Sequence, residues 1–241
     1  MKLDFSYREL DYVSVGDKIE LNLDRLWSNR GHSIGEGMVS PDNKYFYVNI
    51  PKNSSSFIKS RLTEIGWEYA NIKDYPNATP IVVLREPISR WVSGISEYLF
   101  MYHLPIIDNL CEPFNYDFYP LIGEKLGMGL LFDKITFDDH TERQCMFLTC
   151  IKSLNDCIWL KTDSNFNKNF SELLTNLGYP NNFEDAAKEN SSDGTQVGTL
   201  GYKKNAITKM FKYIIDNDHF KKYNLQQWFW CDYELINKVI K

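Results

Sequence analysis

The stretch YFYVNIPKNSSSFIKSRLTEIG, residues 45–66, decides the fold. It opens with a run of β-branched and aromatic residues, which is typical of a buried strand, and Pro51 ends that strand. Apolar side chains then recur at helical spacing: Phe57, Ile58, Leu62 and Ile65. This spacing predicts a helix over residues 54–65, which Gly66 ends. The stretch therefore predicts a strand, a polar loop and a helix in direct succession.

The same succession recurs twice downstream. Residues 81–84, IVVL, form the second predicted strand, and a helix with apolar residues every three or four positions follows Pro87. Residues 157–160, CIWL, form the third predicted strand, before a predicted helix over 169–177 that Gly178 ends. Strands that alternate with helices predict an α/β fold with a mostly parallel central sheet flanked by helices.

The segments between these units carry weaker patterns. Polar stretches at residues 28–37 and 188–201 predict loops. Residues 103–136 mix proline, glycine and aromatic residues, and they predict loops with short helices. Residues 144–150 are predicted to be helical, and so is the last third of the chain, which follows the second polar stretch.

The overall composition is that of a globular protein. The 241 residues are enough for a sizeable core, and the 43% hydrophobic and 15% aromatic content excludes a disordered chain. Asp and Glu (32) outnumber Lys and Arg (27), so we expect no nucleic-acid partner. No internal repeat or linker is found. We therefore expect a single domain over residues 1–241, with residues 1–43 as an N-terminal extension of unassigned role.

Targeting signals and cysteine spacing predict a reduced compartment. No stretch approaches about eighteen uninterrupted apolar residues, so we expect neither a transmembrane helix nor a membrane partner. Asp4 and Glu9 lie where a secretory signal needs an apolar core, so we expect a cytoplasmic protein, in a bacterial or viral setting. The five cysteines form no CxxC pair, which favours reduced thiols over a structural metal site.

Residues 51–57, PKNSSSF, combine the features of an anion-binding loop. Backbone N–H groups and serine hydroxyls converge where the helix begins, the helix N-terminus adds partial positive charge, and Lys52 adds a full one. These groups predict a cradle for a phosphate or a sulfate. No glycine lies between Tyr45 and Ile65, so the loop is not a Walker A motif. The structural alternative is that Ser54 caps the helix and Lys52 lies in solvent.

A second charged segment, VVLREPISRWVSGISEY, has the same organisation. Arg85 ends the second predicted strand at the carboxyl edge of the sheet, where open α/β sheets bind ligands. Its guanidinium suits a bidentate contact with a phosphate. If the helix begins at the proline, Arg90 and Ser93 share one of its faces. The structural alternative is a surface pair between Arg85 and Glu86 with a capping proline.

Together, these segments resemble those of sulfotransferases that use 3′-phosphoadenosine-5′-phosphosulfate (PAPS) as donor. Residues 51–57 resemble the 5′-phosphosulfate loop, and residues 85–93 resemble the 3′-phosphate motif, in which Arg, an acidic residue and Pro precede an Arg and a Ser. FDDHTERQ, residues 137–144, resembles a segment of carbohydrate sulfotransferases with an acidic residue, a His and a Gln. Further similarity lies in residues 156–178, 190–192 and 231–235. The resemblance covers residues 44–236 and implies a P-loop-like sulfotransferase fold.

The resemblance implies a donor site for PAPS and no metal. Arg85 and Ser93 would hold the 3′-phosphate. The residues implied for the 5′-phosphosulfate are Lys52, Asn53, Ser54, Ser55, Ser56 and Phe57. Lys52 would also stabilise the charge that develops on the bridging oxygen as the sulfuryl group leaves, which makes it catalytic. Asn53 departs from the small or Thr residue that is usual in the family.

The general base that the resemblance implies is His140, which would take the proton of an acceptor hydroxyl. Its ordinary pKa lies near neutrality, and Asp138, Asp139 and Glu142 are close enough in sequence to orient it. The implied acceptor is a small molecule or an oligosaccharide. A carboxylate, Asp139 or Glu142, is the alternative base. A metal-binding role for Asp138 and Asp139, as in glycosyltransferases, is a further alternative.

Two other functions stay open from the sequence. One is a P-loop-type nucleotide kinase, against which the missing glycines count. The other is a non-catalytic module that binds PAPS or another nucleotide and lacks a base. Transfer of a sulfuryl group to an acceptor would exclude both.

Overall fold

Two compact units share the chain. The computed structural model describes residues 12–15, 19–21, 34–102, 135–136, 138–180 and 199–240. The first unit comprises residues 1–86, 143–189 and 231–241, and the second comprises residues 87–142 and 190–230. Each unit is therefore assembled from stretches that are separated along the chain. The expectation of a single domain over residues 1–241 stays a prediction.

A five-stranded mixed sheet forms the centre of the first unit. A two-stranded antiparallel pair, β1 (Tyr12–Val15) and β2 (Ile19–Leu21), precedes it. The strands of the sheet are β3 (Glu36–Val39), β4 (Tyr45–Val48), β5 (Glu68–Asn71), β6 (Thr79–Leu84) and β7 (Ile158–Lys161), in the order β5-β3-β4-β6-β7. β4, β6 and β7 are parallel, whereas β3 is antiparallel to both of its neighbours. The α/β class is confirmed, and the prediction of a mostly parallel sheet is confirmed only in part, because β3 runs antiparallel to both of its neighbours.

The tight turn between β3 and β4 makes the sheet mixed. Asn43 takes a left-handed φ of 60° in this turn, so the chain reverses within a few residues. β3 includes residues 36–37, the end of the stretch predicted as a loop, so that prediction is wrong there. A Cβ on Gly37 would lie 1.9 Å from the Tyr47 carbonyl oxygen. This glycine therefore serves a close approach of two strands and not a loop.

The described α-helices flank the sheet or belong to the second unit. They are α1 (Ser55–Glu64), α2 (Pro87–Tyr102), α3 (Phe166–Asn176), α4 (Thr199–Asn217), α5 (His219–Trp228) and α6 (Trp230–Val239). Short 3₁₀ helices lie at Ile72–Asp74, Gln144–Leu148 and Leu154–Asp156. Gly66 and Gly178 follow the C-cap residues of α1 and α3, so the predicted helix stops are confirmed, and these glycines have φ of 84° and 85°.

The core of the first unit lies between the sheet and the helices α1 and α3. It consists of Met38, Tyr47, Phe57, Ile58, Leu62, Trp67, Ile81, Val83, Phe166, Phe170 and Leu174. The ring of Phe166 stacks on that of Phe170 at 5.7 Å and meets Phe57 edge-on at 6.3 Å. Because Phe166 is a core residue, α3 begins three residues before the predicted start at residue 169.

The second unit is helical in its described part. α2 buries Trp91, Ile95 and Leu99, the residues whose spacing predicts it. The Trp91 indole donates to the Ile135 carbonyl oxygen at 2.9 Å, and its ring packs edge-on against Phe211 of α4 at 5.5 Å. α4 begins at residue 199, so the predicted loop over 188–201 is wrong at its last three residues. The helical prediction for the last third of the chain is confirmed.

Several sequence-based predictions fall outside the described residues. They concern residues 103–134, residues 190–192 and most of the extension over residues 1–43. Within the described part of the chain, no helix is both long enough and apolar enough to cross a membrane.

Candidate functional site

The loop that follows β4 holds two residues in the left-handed region. Lys52 has φ of 69° and Ser54 has φ of 60°, while Asn53 between them keeps a negative φ. A left-handed conformation costs a residue with a side chain roughly 1–2 kcal/mol. These two residues flank a turn that the Asn53 N–H closes by donating to the Ile50 carbonyl oxygen at 3.3 Å. Such backbone strain is typical of ligand-binding sites.

The first turn of α1 offers backbone donors that no side chain caps. Ser54 occupies the N-cap position without a side-chain hydrogen bond to the helix, and the first turn holds no acidic residue. The structural alternative, in which Ser54 caps the helix, is therefore wrong. The N–H groups of residues 55–57 lack intrahelical partners, as at the start of every α-helix. These donors and the positive end of the helix dipole favour an anion at this point.

Arg85 lies at the carboxyl end of β6. Because β4 and β6 are parallel neighbours, this end and the loop after β4 share one edge of the sheet. The Nη1 of Arg85 donates to the Lys52 carbonyl oxygen at 3.0 Å, and Arg85 forms no ion pair with a described residue. Burial lowers the pKa of Arg85 and the charge of Glu86 raises it, but an arginine keeps its charge in either case. The half-buried guanidinium therefore adds a positive charge beside the loop.

Gln144 joins the loop to the end of β6. It is fully buried and is the first residue of the 3₁₀ helix Gln144–Leu148. Its Oε1 accepts hydrogen bonds from Asn53 Nδ2 at 2.7 Å and from the Arg85 backbone N–H at 2.9 Å, and its Nε2 donates to the Arg85 carbonyl oxygen at 2.9 Å. Asn53 is also buried and donates to the Val83 carbonyl oxygen at 2.7 Å. Its side chain therefore fastens the loop to β6.

Asp232 on α6 holds Gln144 in turn. Its buried carboxylate accepts the backbone N–H of Gln144 at 2.9 Å and that of Cys145 at 3.0 Å. The next residue, Tyr233, donates its hydroxyl to Glu86 at 2.6 Å. The side chains of Asp232 and Tyr233 thus connect α6 to the segments that contain Gln144 and Glu86, all within the first unit.

The second unit presents Arg90 and Ser93 on α2. The helix starts at Pro87, as predicted. Arg90 is fully buried and donates to the carbonyl oxygens of Asp139, at 3.2 Å, and Glu142. It therefore anchors the loop around His140 to the helix. Ser93 is half-buried.

The same loop approaches α2 at Gly94. A Cβ on this residue would lie 2.0 Å from the His140 carbonyl oxygen. Because no side chain fits in that space, the residue must be a glycine for the loop to keep its position. Gly94 and Arg90 together fix the backbone of His140 against the helix.

His140 lies between two carboxylates. Its Nδ1 is 3.0 Å from Asp138 Oδ2 and 3.1 Å from Asp139 Oδ1. Burial of the ring acts to lower its pKa, but the hydrogen bonds to Asp138 and Asp139 and their charges outweigh burial and raise the pKa of His140 to about 9. At neutral pH this imidazole is therefore mostly protonated. As a general base it would have to lose its proton first, and then act through Nε2.

Two groups of potential metal ligands occur among the described residues. In one of them the ligand atoms of Asp138, Asp139 and His140 lie within 4.8 Å of each other; in the other, those of Cys145, Cys231 and Asp232 do. A metal ion would displace the proton of His140 on binding, because a ligand must have a free electron pair. The carboxylate of Asp232 already accepts two backbone N–H groups. The group of Asp138, Asp139 and His140 therefore keeps the metal-binding alternative open.

The predicted donor-site residues divide between the two units. Residues 52–57 and Arg85 belong to the first unit, and Ser93 and His140 belong to the second. The ring of Phe57 is committed to the core, so only its backbone N–H is suited to a ligand. Sequence reasoning did not assign roles to Gln144 and Asp232. The available signal was their presence in the two segments, FDDHTERQ and CDYEL, that resemble the family.

A cavity of about 640 Å³ lies at the opposite edge of the sheet in the first unit. It is lined by residues 72, 73, 75–80, 150–153 and 156, including Tyr75, Pro80 and Lys152. These residues precede β6 and β7 or form the first two positions of β6, whereas the loop after β4 and Arg85 follow their strands. The cavity is therefore separate from the candidate site.

No protein-family model, curated protein or solved structure matches this chain.

Proposed function

We propose that this protein is a sulfotransferase that moves the sulfuryl group of PAPS to an acceptor hydroxyl, with carbohydrates as the acceptor class. One observation carries the proposal: Gln144 binds the loop through Asn53 and the end of β6 through both backbone groups of Arg85. The segment that resembles the 5′-phosphosulfate loop is thus joined by hydrogen bonds to Arg85, the first residue of the segment that resembles the 3′-phosphate motif, and these residues all belong to one unit.

The loop supplies the chemistry that the donor needs. The N–H groups at the start of α1 and the charge of Lys52 suit the phosphosulfate oxygens, and the guanidinium of Arg85 suits the 3′-phosphate. In the reaction, the bond from sulfur to the bridging oxygen breaks and a bond from sulfur to the acceptor oxygen forms. Adenosine 3′,5′-bisphosphate leaves. Lys52 stabilises the negative charge that this leaving group gains.

The acceptor proton needs a base, and His140 stays the predicted one. Because its pKa is about 9, His140 can accept the acceptor's proton only in those protein molecules in which its imidazole is neutral. Asp139 is the alternative base. The Oδ1 of Asp139 lies 3.1 Å from the Nδ1 of His140. If Asp139 is the base, His140 would therefore orient this carboxylate or the acceptor.

Calorimetric titration with two nucleotides tests the donor site. Adenosine 3′,5′-bisphosphate should bind, and AMP, which lacks the 3′-phosphate, should bind at least tenfold more weakly, since a charge-assisted contact contributes about 1.5–3 kcal/mol. Equal affinity for both nucleotides would remove the case for a 3′-phosphate site. Transfer of ³⁵S from labelled PAPS to a panel of oligosaccharides then tests the reaction. Binding without transfer would favour the non-catalytic module, and hydrolysis of MgATP would favour the kinase.

A further inference from the structure

Two buried thiols lie against each other in the first unit. Cys145, which follows Gln144, and Cys231, on α6, are both fully buried, and their Sγ atoms are 3.0 Å apart. Both are free thiols. The other described cysteines, Cys150 and Cys157, lie closest to backbone carbonyl oxygens, at 3.4 Å and 3.6 Å. Among the described thiols, only the first two are therefore in direct contact with each other.

The backbone on both sides of this pair is held in place. Asp232, the residue after Cys231, accepts the backbone N–H groups of Gln144 and Cys145 at 2.9 Å and 3.0 Å. These bonds fix the start of the 3₁₀ helix against α6. Because an S–S bond is about 2.05 Å long, the two sulfurs need to approach by only about 1 Å to form one. The fold therefore keeps the two thiols at a high effective concentration toward each other.

We propose that Cys145 and Cys231 form an oxidation site that a peroxide converts into a disulfide. One thiolate attacks a peroxide oxygen and becomes a sulfenic acid as the O–O bond breaks and water leaves. The second thiol attacks that sulfur, the S–S bond forms, and a second water leaves. Two thiols are oxidised and one hydrogen peroxide is reduced to two waters.

Burial makes this oxidation slow. It raises the pKa of the Cys145 thiol well above its usual range, and the hydrogen bond to Cys231 and the negative charge of Asp232 raise it further. Little thiolate therefore exists at neutral pH, and the oxidant reaches the sulfurs only when the site opens locally. The reduced form persists until an oxidant is present, and a reductant reaches the disulfide, once formed, through the same local opening.

The disulfide would stabilise the fold without disturbing the candidate site. It links residues 86 positions apart, and a cross-link over a long stretch restricts the unfolded chain strongly. Gln144 keeps its place because its backbone N–H still donates to the Asp232 carboxylate after the disulfide has formed. This inference goes beyond the sulfotransferase proposal and does not depend on it.

Peptide mapping of the oxidised full chain tests the proposal. The reduced protein is incubated with hydrogen peroxide, remaining thiols are alkylated, and the digest is analysed by mass spectrometry without reductant. We expect a linked pair of peptides that contains Cys145 and Cys231. We also expect a rise in Tm of about 5–10 °C that dithiothreitol reverses.

Cysteine variants provide the matched controls. C231A should show neither the linked peptides nor the rise in Tm, whereas the double variant C150A/C157A should show both. If C231A does not fold, the peptide map of the unsubstituted protein tests the proposal without this control. Thiols that stay unlinked, a preferential link to Cys111, Cys150 or Cys157, or a linked protein with unchanged Tm would overturn the proposal.

Discussion

The side-chain amide of Gln144 binds both backbone groups of Arg85, accepting its N–H and donating to its carbonyl oxygen, each at 2.9 Å. The planar Gln144 amide thus satisfies the N–H and the C=O of Arg85, as the backbone of a neighbouring strand would at the end of β6. The same Oε1 accepts Asn53 Nδ2 at 2.7 Å. One buried side chain therefore sets the position of Arg85 relative to the loop.

Gln144→Ala should loosen this arrangement. It removes one of the two acceptors of the buried Asn53 amide and the side-chain partner of both Arg85 backbone groups, so we expect the free energy of unfolding to fall by about 2–4 kcal/mol. Affinity for adenosine 3′,5′-bisphosphate should also fall, by about tenfold or more, because the loop and Arg85 lose their common support. Urea unfolding and calorimetric titration measure the two effects.

A core variant provides the control for Gln144. Leu174→Ala removes a fully buried side chain from α3 and should cost a similar free energy, about 2–5 kcal/mol. It lies in the core cluster and not in the loop, so nucleotide affinity should stay near that of the unsubstituted protein. If Gln144→Ala loses stability but binds the nucleotide as tightly as Leu174→Ala, Gln144 does not position the site.

Arg85→Ala should remove most of the preference for a 3′-phosphate. Losing one charge-assisted contact should weaken adenosine 3′,5′-bisphosphate binding about ten- to a hundredfold and leave AMP binding nearly unchanged. Arg85→Lys keeps the charge but not the planar fork, so it should restore the preference only in part. Arg61→Ala, which removes a cation paired with Glu64 on α1, is the matched control. An equal loss for both nucleotides would mean that Arg85 supports the loop only.

Lys52→Gly should separate stability from turnover. Lys52 has a φ of 69°, which glycine adopts without strain, so the free energy of unfolding should rise by about 1 kcal/mol. The kcat of sulfuryl transfer should fall by about 10²-fold or more, since the leaving group loses its positive charge. Lys44→Ala, at an exposed lysine paired with Asp42, controls for the loss of a charge. A normal kcat with a raised KM would make Lys52 a binding residue alone.

The pH dependence of turnover should reflect the high pKa of His140. If its neutral imidazole is the base, kcat should rise with pH through an apparent pKa of about 9. His140→Asn should then lose about 10²–10⁴-fold in kcat and bind adenosine 3′,5′-bisphosphate normally. If Asp139 is the base instead, kcat should show no rise near pH 9, and the Asn variant should keep at least a third of the activity.

His140 should also make stability depend on pH. Its pKa is raised from 6.5 to about 9 in the folded protein, so the protonated ring stabilises the fold. This contribution, on the order of 3 kcal/mol, is fully present below pH 6.5 and is lost as the pH rises through 9. His140→Asn should flatten the free energy of unfolding across this window. A wild-type curve with no decline between pH 6.5 and 9 would contradict the ion pairs with Asp138 and Asp139.

The sequence by itself determined the strand, loop and helix units and their ends. Apolar periodicity located β4, α1, β6 and α2, and Gly66 and Gly178 marked the ends of α1 and α3, because helix formation and its termination are local properties of the chain. The same local patterns drew attention to residues 51–57 and to Arg85. They also supplied the family resemblance, on which the proposed reaction depends.

Only the tertiary structure decided how these units pair and which polar groups meet. The start of β3 has the composition of a loop because it contains Gly37. This glycine is needed because a Cβ there would lie 1.9 Å from a backbone atom of the neighbouring strand. Such a close approach leaves no periodic pattern in the sequence. Asn53 and Gln144 are 91 positions apart and Gln144 and Asp232 are 88 apart. Hydrogen bonds over such separations depend on packing in three dimensions, so no local pattern could indicate them. The pKa of His140 was decided in the same way, because burial and two carboxylates act on it together.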